Sequence, residues 1–419
     1  MPSSGNSRLS AVTLYCLPAP SSLVWTMSEP TESPYPPARV GWYAAGILAV
    51  LYWLSILDRF VLALLVDPIK MDLGITDVQL SLLQGLAFAV AFAVFGLVFG
   101  ALADRYSRRW VIFTGVSIWS LATAACGLVQ NFWQFALART GMGIGEASIN
   151  PSASSMLADM HPRSRLTTAM AVYSIGSTVG SGTAFFIGGL IIDMVARTGA
   201  ISFPLLGEMR TWQAVFLLVG MPGILLGMLI FTLPEPARRR QLTAESQLLS
   251  WRTSYGALLK HIHSKLRFFL CHYAGFAFAA AVVSGGVGWY PAHLSRRFGW
   301  GAGQIGLNLG LTLAIAGISG KLLCGWAVDA MYRRGRRDAQ FRWYAYCLLL
   351  ATPIGVFSMT AGDPWTCLAA LFAFVLLVQP MPPCAYTALN LATPPELRGT
   401  GAAFYICTSG LVARAWDSR

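Results

Sequence analysis

The sequence predicts an all-α membrane protein of two six-helix halves, the second of them incomplete. Three observations carry this. Of 419 residues, 55% are hydrophobic and only 11% are charged, against about 25% charged in an ordinary soluble domain. The mean hydropathy is +0.58. Long apolar runs recur along the chain, each near the ~20 residues that a helix needs to cross a bilayer. Two sequence features of the first six runs also return six runs later. This composition excludes a soluble enzyme, a disordered chain and a nucleic-acid-binding domain. The net charge of +12 comes from 30 basic residues scattered through an apolar chain, which is the pattern of membrane-flanking charge.

Residues 1–40 form a disordered tail. Residues 1–26 are Ser/Pro-rich, and the run from Ala11 to Trp25 is broken by Pro18, Pro20, Ser21 and Ser22. It makes a poor signal peptide and a poor span. Met27 opens a polar, Pro-rich stretch and is the expected native start, with 1–26 non-native. The spans fall at 41–66, 80–103, 110–129, 132–158, 167–195 and 213–233, a six-helix bundle over 41–233. After a linker at 234–266 come 267–290, 303–328, 342–360 and 365–388. An eleventh begins near Gly401, within an incomplete bundle over 267–419. The runs lack alternation, so they read as helices.

Basic residues orient the spans, because cytoplasmic loops collect Lys and Arg. The even-numbered connections hold eighteen, including Arg105, Arg108, Arg109, Arg333, Arg334 and Arg398; the odd-numbered ones hold five, among them Lys70 and Arg210. The split puts the N-terminus in the cytoplasm. Within the linker, Leu248, Trp251, Tyr255, Leu258, Leu259 and Ile262 recur at helical spacing. That predicts an amphipathic helix, lying either on the inner leaflet beside anionic headgroups or on the protein's own cytoplasmic face. Seven cysteines sit in or beside apolar runs without CxxC or Cys/His spacing. They read as buried apolar residues, not disulfides or metal ligands.

The internal repeat rests on two pairs. Gly100-Ala-Leu-Ala-Asp104 ends span 2 and precedes Arg105, Arg108 and Arg109. Gly325-Trp-Ala-Val-Asp329 ends span 8 and precedes Arg333 and Arg334, at an offset of 225 residues. Pro151 and Pro162 return as Pro383 and Pro394, at an offset of 232. Two features at nearly one offset indicate a duplicated unit in parallel orientation, one of the repeat schemes of secondary transporters.

Charges inside the membrane mark the site. Asp58 and Arg59 lie in span 1, Arg139 and Glu146 in span 4. Each costs about 2.5–3.5 kcal/mol near the bilayer centre unless it pairs or faces water. Arg139, Glu146 and Asn150 share one helix face, and Pro151 bends the helix just beyond the carboxylate. Gly141, Gly143 and Gly145 thin the same stretch so that neighbours approach. The bland reading is a buried ion-pair network that fixes packing; the functional one is a proton and substrate site. Lys321 either faces the cavity or snorkels toward the cytoplasm. Gln84, Asn308, Gln379 and Asn390 line a pore or join helices, and His272 reads as packing.

Gly100-x-Leu-Ala-Asp104-Arg105-x-x-Arg108-Arg109 resembles the loop-2/3 signature of the major facilitator superfamily. The resemblance implies that Asp104 meets the positive N-terminal end of span 11 and nearby arginines, holding the cytoplasmic side shut. Leu57-Asp58-Arg59-Phe60, Pro68-Ile69-Lys70 with Asp72-Leu73-Gly74, and Ala138-Arg139-Thr140-Gly141-Met-Gly143-Ile-Gly145-Glu146-Ala147 with Pro151 resemble the spinster-like branch over residues 50–410. That branch carries amphipathic anions such as lysophospholipids, by proton coupling or facilitation. By resemblance, Asp58 and Glu146 are the protonatable carboxylates, with Arg59 and Arg139 their partners or the holders of an anionic head. Span 5 has Gly176-x3-Gly180-x-Gly182, similar to an antiporter glycine motif but without its proline; it reads as helix packing first.

The resemblance implies twelve spans in the major facilitator fold. Here the run Gly401–Ala413 is short and Arg414-Ala-Trp-Asp-Ser-Arg419 is polar. Span 11 is therefore expected to be partial and span 12 missing, and an inactive truncated fragment is an alternative to the transporter reading. The expected function is alternating-access transport of a small or lipid-like anion with protons, by a monomer in the plasma (bacterial inner) membrane, in contact with membrane lipids and not nucleic acid. The alternatives within the superfamily are a sugar-acid or organic-anion proton symporter and a drug exporter. No Walker A loop, HExxH or GxSxG occurs, so no enzyme, cofactor or metal is expected.

Overall fold

The computed structural model describes residues 35–198, 200–203, 207–237 and 251–417. The proposed leader at 1–26, most of the 1–40 tail and residues 238–250 of the linker, with Arg238 to Arg240 and Leu248, lie outside them. Helices dominate, for the reason the composition gives: in lipid every backbone polar group must be satisfied within its own segment.

The first group of helices is α1 (Ala38–Leu64), α2 (Val66–Leu73), α3 (Asp77–Arg105), α4 (Arg108–Cys126), α5 (Phe132–Glu146), α6 (Ile149–Met160), α7 (Leu166–Thr198) and α8 (Thr211–Thr232). The second is α10 (Leu266–Gly288), α11 (Tyr290–Phe298), α12 (Ala302–Arg333), α13 (Ala339–Thr360), α14 (Pro364–Val378), α15 (Met381–Ala392) and α16 (Arg398–Asp417), with α9 (Trp251–Ser264) in the linker. All eleven expected spans are helical. Among the described residues, seven segments are both long and apolar enough to cross a membrane by themselves. Span 4 is not among them, because it is divided into α5 and α6 and carries Arg139, Glu146 and Asn150.

That division falls where Pro151 requires it. Proline donates no backbone hydrogen bond and clashes with the carbonyl four residues back, which is that of Ala147. Helix α5 ends at Glu146 and α6 starts at Ile149. Gly143 and Gly145 then let two helices close on α5. A Cβ at Gly143 would stand 2.5 Å from the Phe88 carbonyl of α3, and one at Gly145 2.5 Å from the Gly115 carbonyl of α4. Gly176 and Gly180 do the same for α7 against α1, at Ala49 and Ile56, so the span-5 glycines serve packing.

Three local features carry no signal that the sequence reading used. A short antiparallel pair, β1 (Ala200–Phe203) with β2 (Gly207–Arg210), stands between α7 and α8. A π-helical turn, Leu82–Leu86, interrupts α3. Helix α16 does not stop with its apolar run at Ala413 but continues to Asp417, giving 20 helical residues.

The linker helix α9 packs on the protein. Leu258 is fully buried, and the Tyr255 hydroxyl donates to the Leu97 carbonyl of α3 at 2.6 Å. Arg105 donates to Ser254 at 2.8 Å, and His261 to the Ala392 carbonyl of α15 at 3.0 Å. Helix α9 therefore lies across the ends of both helix groups on the arginine-rich face.

The groups meet along two seams, α3 against α16 and α7 against α12. Gly100 fits against Gly399 and Ala403 of α16, and Gly325 against Thr168 of α7. One turn beyond each glycine an aspartate caps the opposing helix. Asp104 accepts from the Gly399 and Thr400 amides, each at 2.7 Å, and from the Thr400 hydroxyl at 2.6 Å. Asp329 accepts from the Thr167 amide at 3.2 Å, the Thr168 amide at 2.9 Å and the Thr168 hydroxyl at 2.6 Å. A carboxylate at a helix N-terminus satisfies orphan amides and meets the positive end of the helix dipole. Both motifs thus pin the halves together at the arginine-rich face.

Candidate substrate and coupling site

The residues singled out in spans 1 and 4 converge between α1, α3, α4 and α5. Glu146 is fully buried. Its Oε2 accepts from Arg59 at 2.5 Å and from the Ser55 hydroxyl at 2.9 Å. Its Oε1 is buried without a hydrogen-bond partner. Asp58 is also fully buried; its Oδ2 accepts from Thr123 at 3.3 Å, and its Oδ1 has no partner.

The arginines divide differently from expectation. Arg59 is the partner of Glu146. Arg139, seven residues before Glu146 on its own helix, makes no ion pair among the described residues. It donates weakly to the Leu83 carbonyl at 3.4 Å and to the Met142 sulfur at 3.4 Å. Leu83 lies in the π-helical turn of α3, a feature frequent at functional sites. Phe88 lies between the two cations: the Arg59 guanidinium is 4.7 Å from its ring centre and that of Arg139 5.5 Å. A ring face is attractive to a cation and holds it without neutralising it.

Arg59 opens on a cavity of about 640 Å³ bounded by α1, α3, α6, α15 and α16. Its polar wall is Arg59, Asn150, Tyr52 and Tyr386; the rest is apolar, with Phe92, Ala93, Pro151 and Ile406 among the lining residues. Leu86, Val90 and Val94 carry that lining out to the exposed surface of α3. Asn150 is fixed by the Tyr173 hydroxyl, which donates to its Oδ1 at 2.7 Å, and Tyr173 stacks on Tyr52 at 4.9 Å. Asn390 donates to Ser154 at 2.8 Å, joining α15 to α6 rather than lining the cavity. His272 donates to the Ala385 carbonyl at 3.0 Å within an aromatic cluster and serves packing.

The expected gate arginines are also placed. Arg108 is buried and donates to Asp159 at 2.7 Å; Arg398 donates to the other oxygen of Asp159 at 2.7 Å. Glu235 accepts from the Ser107 hydroxyl at 2.7 Å and from the Arg108 and Arg109 amides at 3.2 Å each, so it caps α4. Burial pushes the Glu235 carboxyl up, but the Arg108 charge, the Ser107 hydroxyl and the two amides outweigh it and hold it below its ordinary value. The sequence did not single out Asp159 or Glu235. A carboxylate at the end of span 4, shortly before Pro162, and one flanked by Pro234 and Pro236, were the available signals.

Helix bundles meeting on a central cavity, with charge buried at mid-membrane and carboxylate-capped seams at one face, define a secondary transporter of the membrane, not an enzyme. The chain belongs to the Major Facilitator Superfamily, whose family model matches residues 48–415. It is 27% identical to an MFS-type efflux pump of Mycolicibacterium smegmatis over 88% of this chain and 81% of that one. It is 26% identical to protein spinster homolog 1 of Xenopus laevis over 88% of this chain and 70% of that one. Among solved structures, it superposes on a bacterial homologue of the human lysosomal transporter spinster with a TM-score of 0.60. That structure is inward-facing and unoccupied; identity is 24%, covering 90% of this chain and 81% of that one. The spinster-like signatures of spans 1 and 4 lie within these matches.

Proposed function

We propose that the protein moves a small or amphipathic organic anion across the membrane by alternating access, coupled to protons through Glu146 and Asp58. The halves are residues 41–233 and 267–419, joined by the linker 234–266. They rock about the cavity in a monomer of the plasma (bacterial inner) membrane with a cytoplasmic N-terminus. Membrane lipids surround it. The arginine-rich face is then cytoplasmic, and the described state is closed on that side.

The observation that carries this reading is the Arg59–Glu146 pair at the wall of a mostly apolar cavity. With both carboxylates ionised, Asp58 and Glu146 balance Arg59 and Arg139 and the empty site is neutral. An anion that enters adds a negative charge, and burying it unbalanced costs several kcal/mol. One proton on Glu146 restores neutrality and loosens its hold on Arg59, freeing the guanidinium for the anionic head. The Oε1 atom is without a partner and accepts that proton without breaking a bond. The apolar wall favours a lysolipid-like body over a hexuronate, which would need more hydrogen-bond partners than Asn150 and the tyrosines provide.

The test uses proteoliposomes of the full chain, offered radiolabelled oleoyl-lysophosphatidylglycerol or glucuronate with and without an imposed proton gradient. Lysolipid uptake is expected to rise with the gradient. Glu146→Gln is expected to remove that rise, and Glu146→Asp to keep part of it. Gradient-driven uptake that persists in Glu146→Gln excludes Glu146 from coupling. Glucuronate uptake without lysolipid uptake selects the sugar-acid symporter instead.

A further inference from the structure

Lys321 does not snorkel. It is 1% exposed and crosses the seam between α12 and α7. Its Nζ donates to the Ser174 carbonyl at 2.7 Å, the Thr178 hydroxyl at 2.6 Å and the Ser177 hydroxyl at 3.2 Å. Gly317, Lys321, Gly325 and Asp329 follow one another at intervals of four, so they form one stripe along α12. Every member of that stripe touches α7: Gly317 meets Thr178, Gly325 meets Thr168, and Asp329 caps Thr167 and Thr168. Lys321 lies about 12 Å above Asp329 along the helix, near mid-membrane.

Lys321 meets no carboxylate among the described residues. The acidic residues of 267–419 are Asp329, Asp338, Asp363, Glu396 and Asp417, at helix ends and in loops. A mid-membrane cation without a counter-ion is expensive, and three neutral oxygens only partly offset it. The internal repeat adds an independent pointer. At the 225-residue offset that relates Gly100 to Gly325 and Asp104 to Asp329, the counterpart of Lys321 is Gly96, which lines the cavity. The pocket that holds the ammonium is also the back of the cavity wall. Ser174 follows Tyr173, the residue that stacks on Tyr52 and holds Asn150.

We propose that Lys321 is a second anion-binding residue, contributed by the C-terminal half and used when the arginine-rich face is open. The proposal rests on the anion-transport reading. With that face closed, Ser174, Ser177 and Thr178 of α7 hold the ammonium and Arg59 alone addresses the cavity. When the α7–α12 seam parts, the stripe loses those oxygens and Lys321 faces the cavity from the position Gly96 occupies in the other half. The anionic head of the substrate replaces them. The anion then competes with the α7 oxygens for Lys321, so its binding favours the open seam.

The test measures transport by the full chain in sided proteoliposomes, with radiolabelled oleoyl-lysophosphatidylglycerol and glucuronate offered from each face. Lys321→Met is expected to raise KM from the arginine-rich face at least about tenfold, the effect of losing a charge-assisted contact. KM from the opposite face is expected to stay within about twofold, and Lys321→Arg to restore most of the loss. An equal change from both faces, or none, overturns the proposal. If the unsubstituted chain carries neither anion, the transport reading fails, and Lys321 is judged by labelling. Pyridoxal 5′-phosphate, an anionic aldehyde, condenses with an exposed lysine amine, releasing water, and borohydride reduces the imine. Modification of Lys321 from the arginine-rich face only, found by peptide mass spectrometry, supports the site; no modification from that face overturns it.

Discussion

The two seams use one device and differ in what surrounds it. In each, a glycine lets two helices touch, and an aspartate four residues later caps the helix across the seam with three hydrogen bonds. Around Asp104 the device is reinforced. Arg108 and Arg398, from opposite halves, share the two oxygens of Asp159, and Glu235 caps the next helix. Around Asp329 it is nearly bare. Arg333, the counterpart of Arg108, is exposed and, among the described residues, reaches only the Ser164 carbonyl at 3.2 Å. The counterpart of Asp159 at the 232-residue offset is Leu391. The second seam carries Lys321 instead, where the first has Gly96. The backbone device recurs in both seams; the side chains around it reinforce the first with Asp159 and Glu235 and place Lys321 in the second.

This difference can be broken at its strongest point. Asp159→Asn removes the charge between two buried arginines, and breaking such a pair costs on the order of 3 kcal/mol. Arg333→Ala removes an exposed contact and is expected to cost less than about 1 kcal/mol. Thermal unfolding of both variants in detergent measures the contrast. Equal losses would show that the seams are reinforced alike.

The acid response of Glu235 is a smaller effect. Its carboxyl is held below its ordinary value in the folded chain, so its contribution to stability is present above the unfolded carboxyl pKa and is lost as pH falls through the folded one. In unfolding at stepped acid pH, the chain is expected to lose stability more steeply than its Glu235→Gln variant, which lacks this titration. Parallel curves for the two proteins would remove Glu235 from the reinforced seam.

Much of this was legible in sequence because it is local. Apolar length gave the spans, Pro151 gave the break in span 4, and Gly100-to-Asp104 with its echo at Gly325-to-Asp329 gave both locks. Asp58, Arg59, Arg139 and Glu146 stood out by the cost of charge in lipid. What could not be read was pairing across the fold. Glu146 takes Arg59, 87 residues away, not Arg139 on its own helix. A seven-residue separation puts two side chains on one face but about 10 Å apart along the axis. Asp159 and Arg398 are 239 residues apart and share no periodic signal. The orientation of Lys321 depended on α7, a helix of the other half.

We propose that Asp104 and Asp329 together hold the arginine-rich face shut. Spin labels on cysteines introduced at the exposed positions Arg163 and Arg334, with the exposed Cys271 replaced by serine, report the distance across that face by electron paramagnetic resonance. Each cap is worth about 1–2 kcal/mol, so Asp104→Asn and Asp329→Asn together are expected to shift the closed population toward a second, longer distance. Each single change is expected to produce a smaller fraction of it. A single short distance, unchanged in the double variant, would contradict the account.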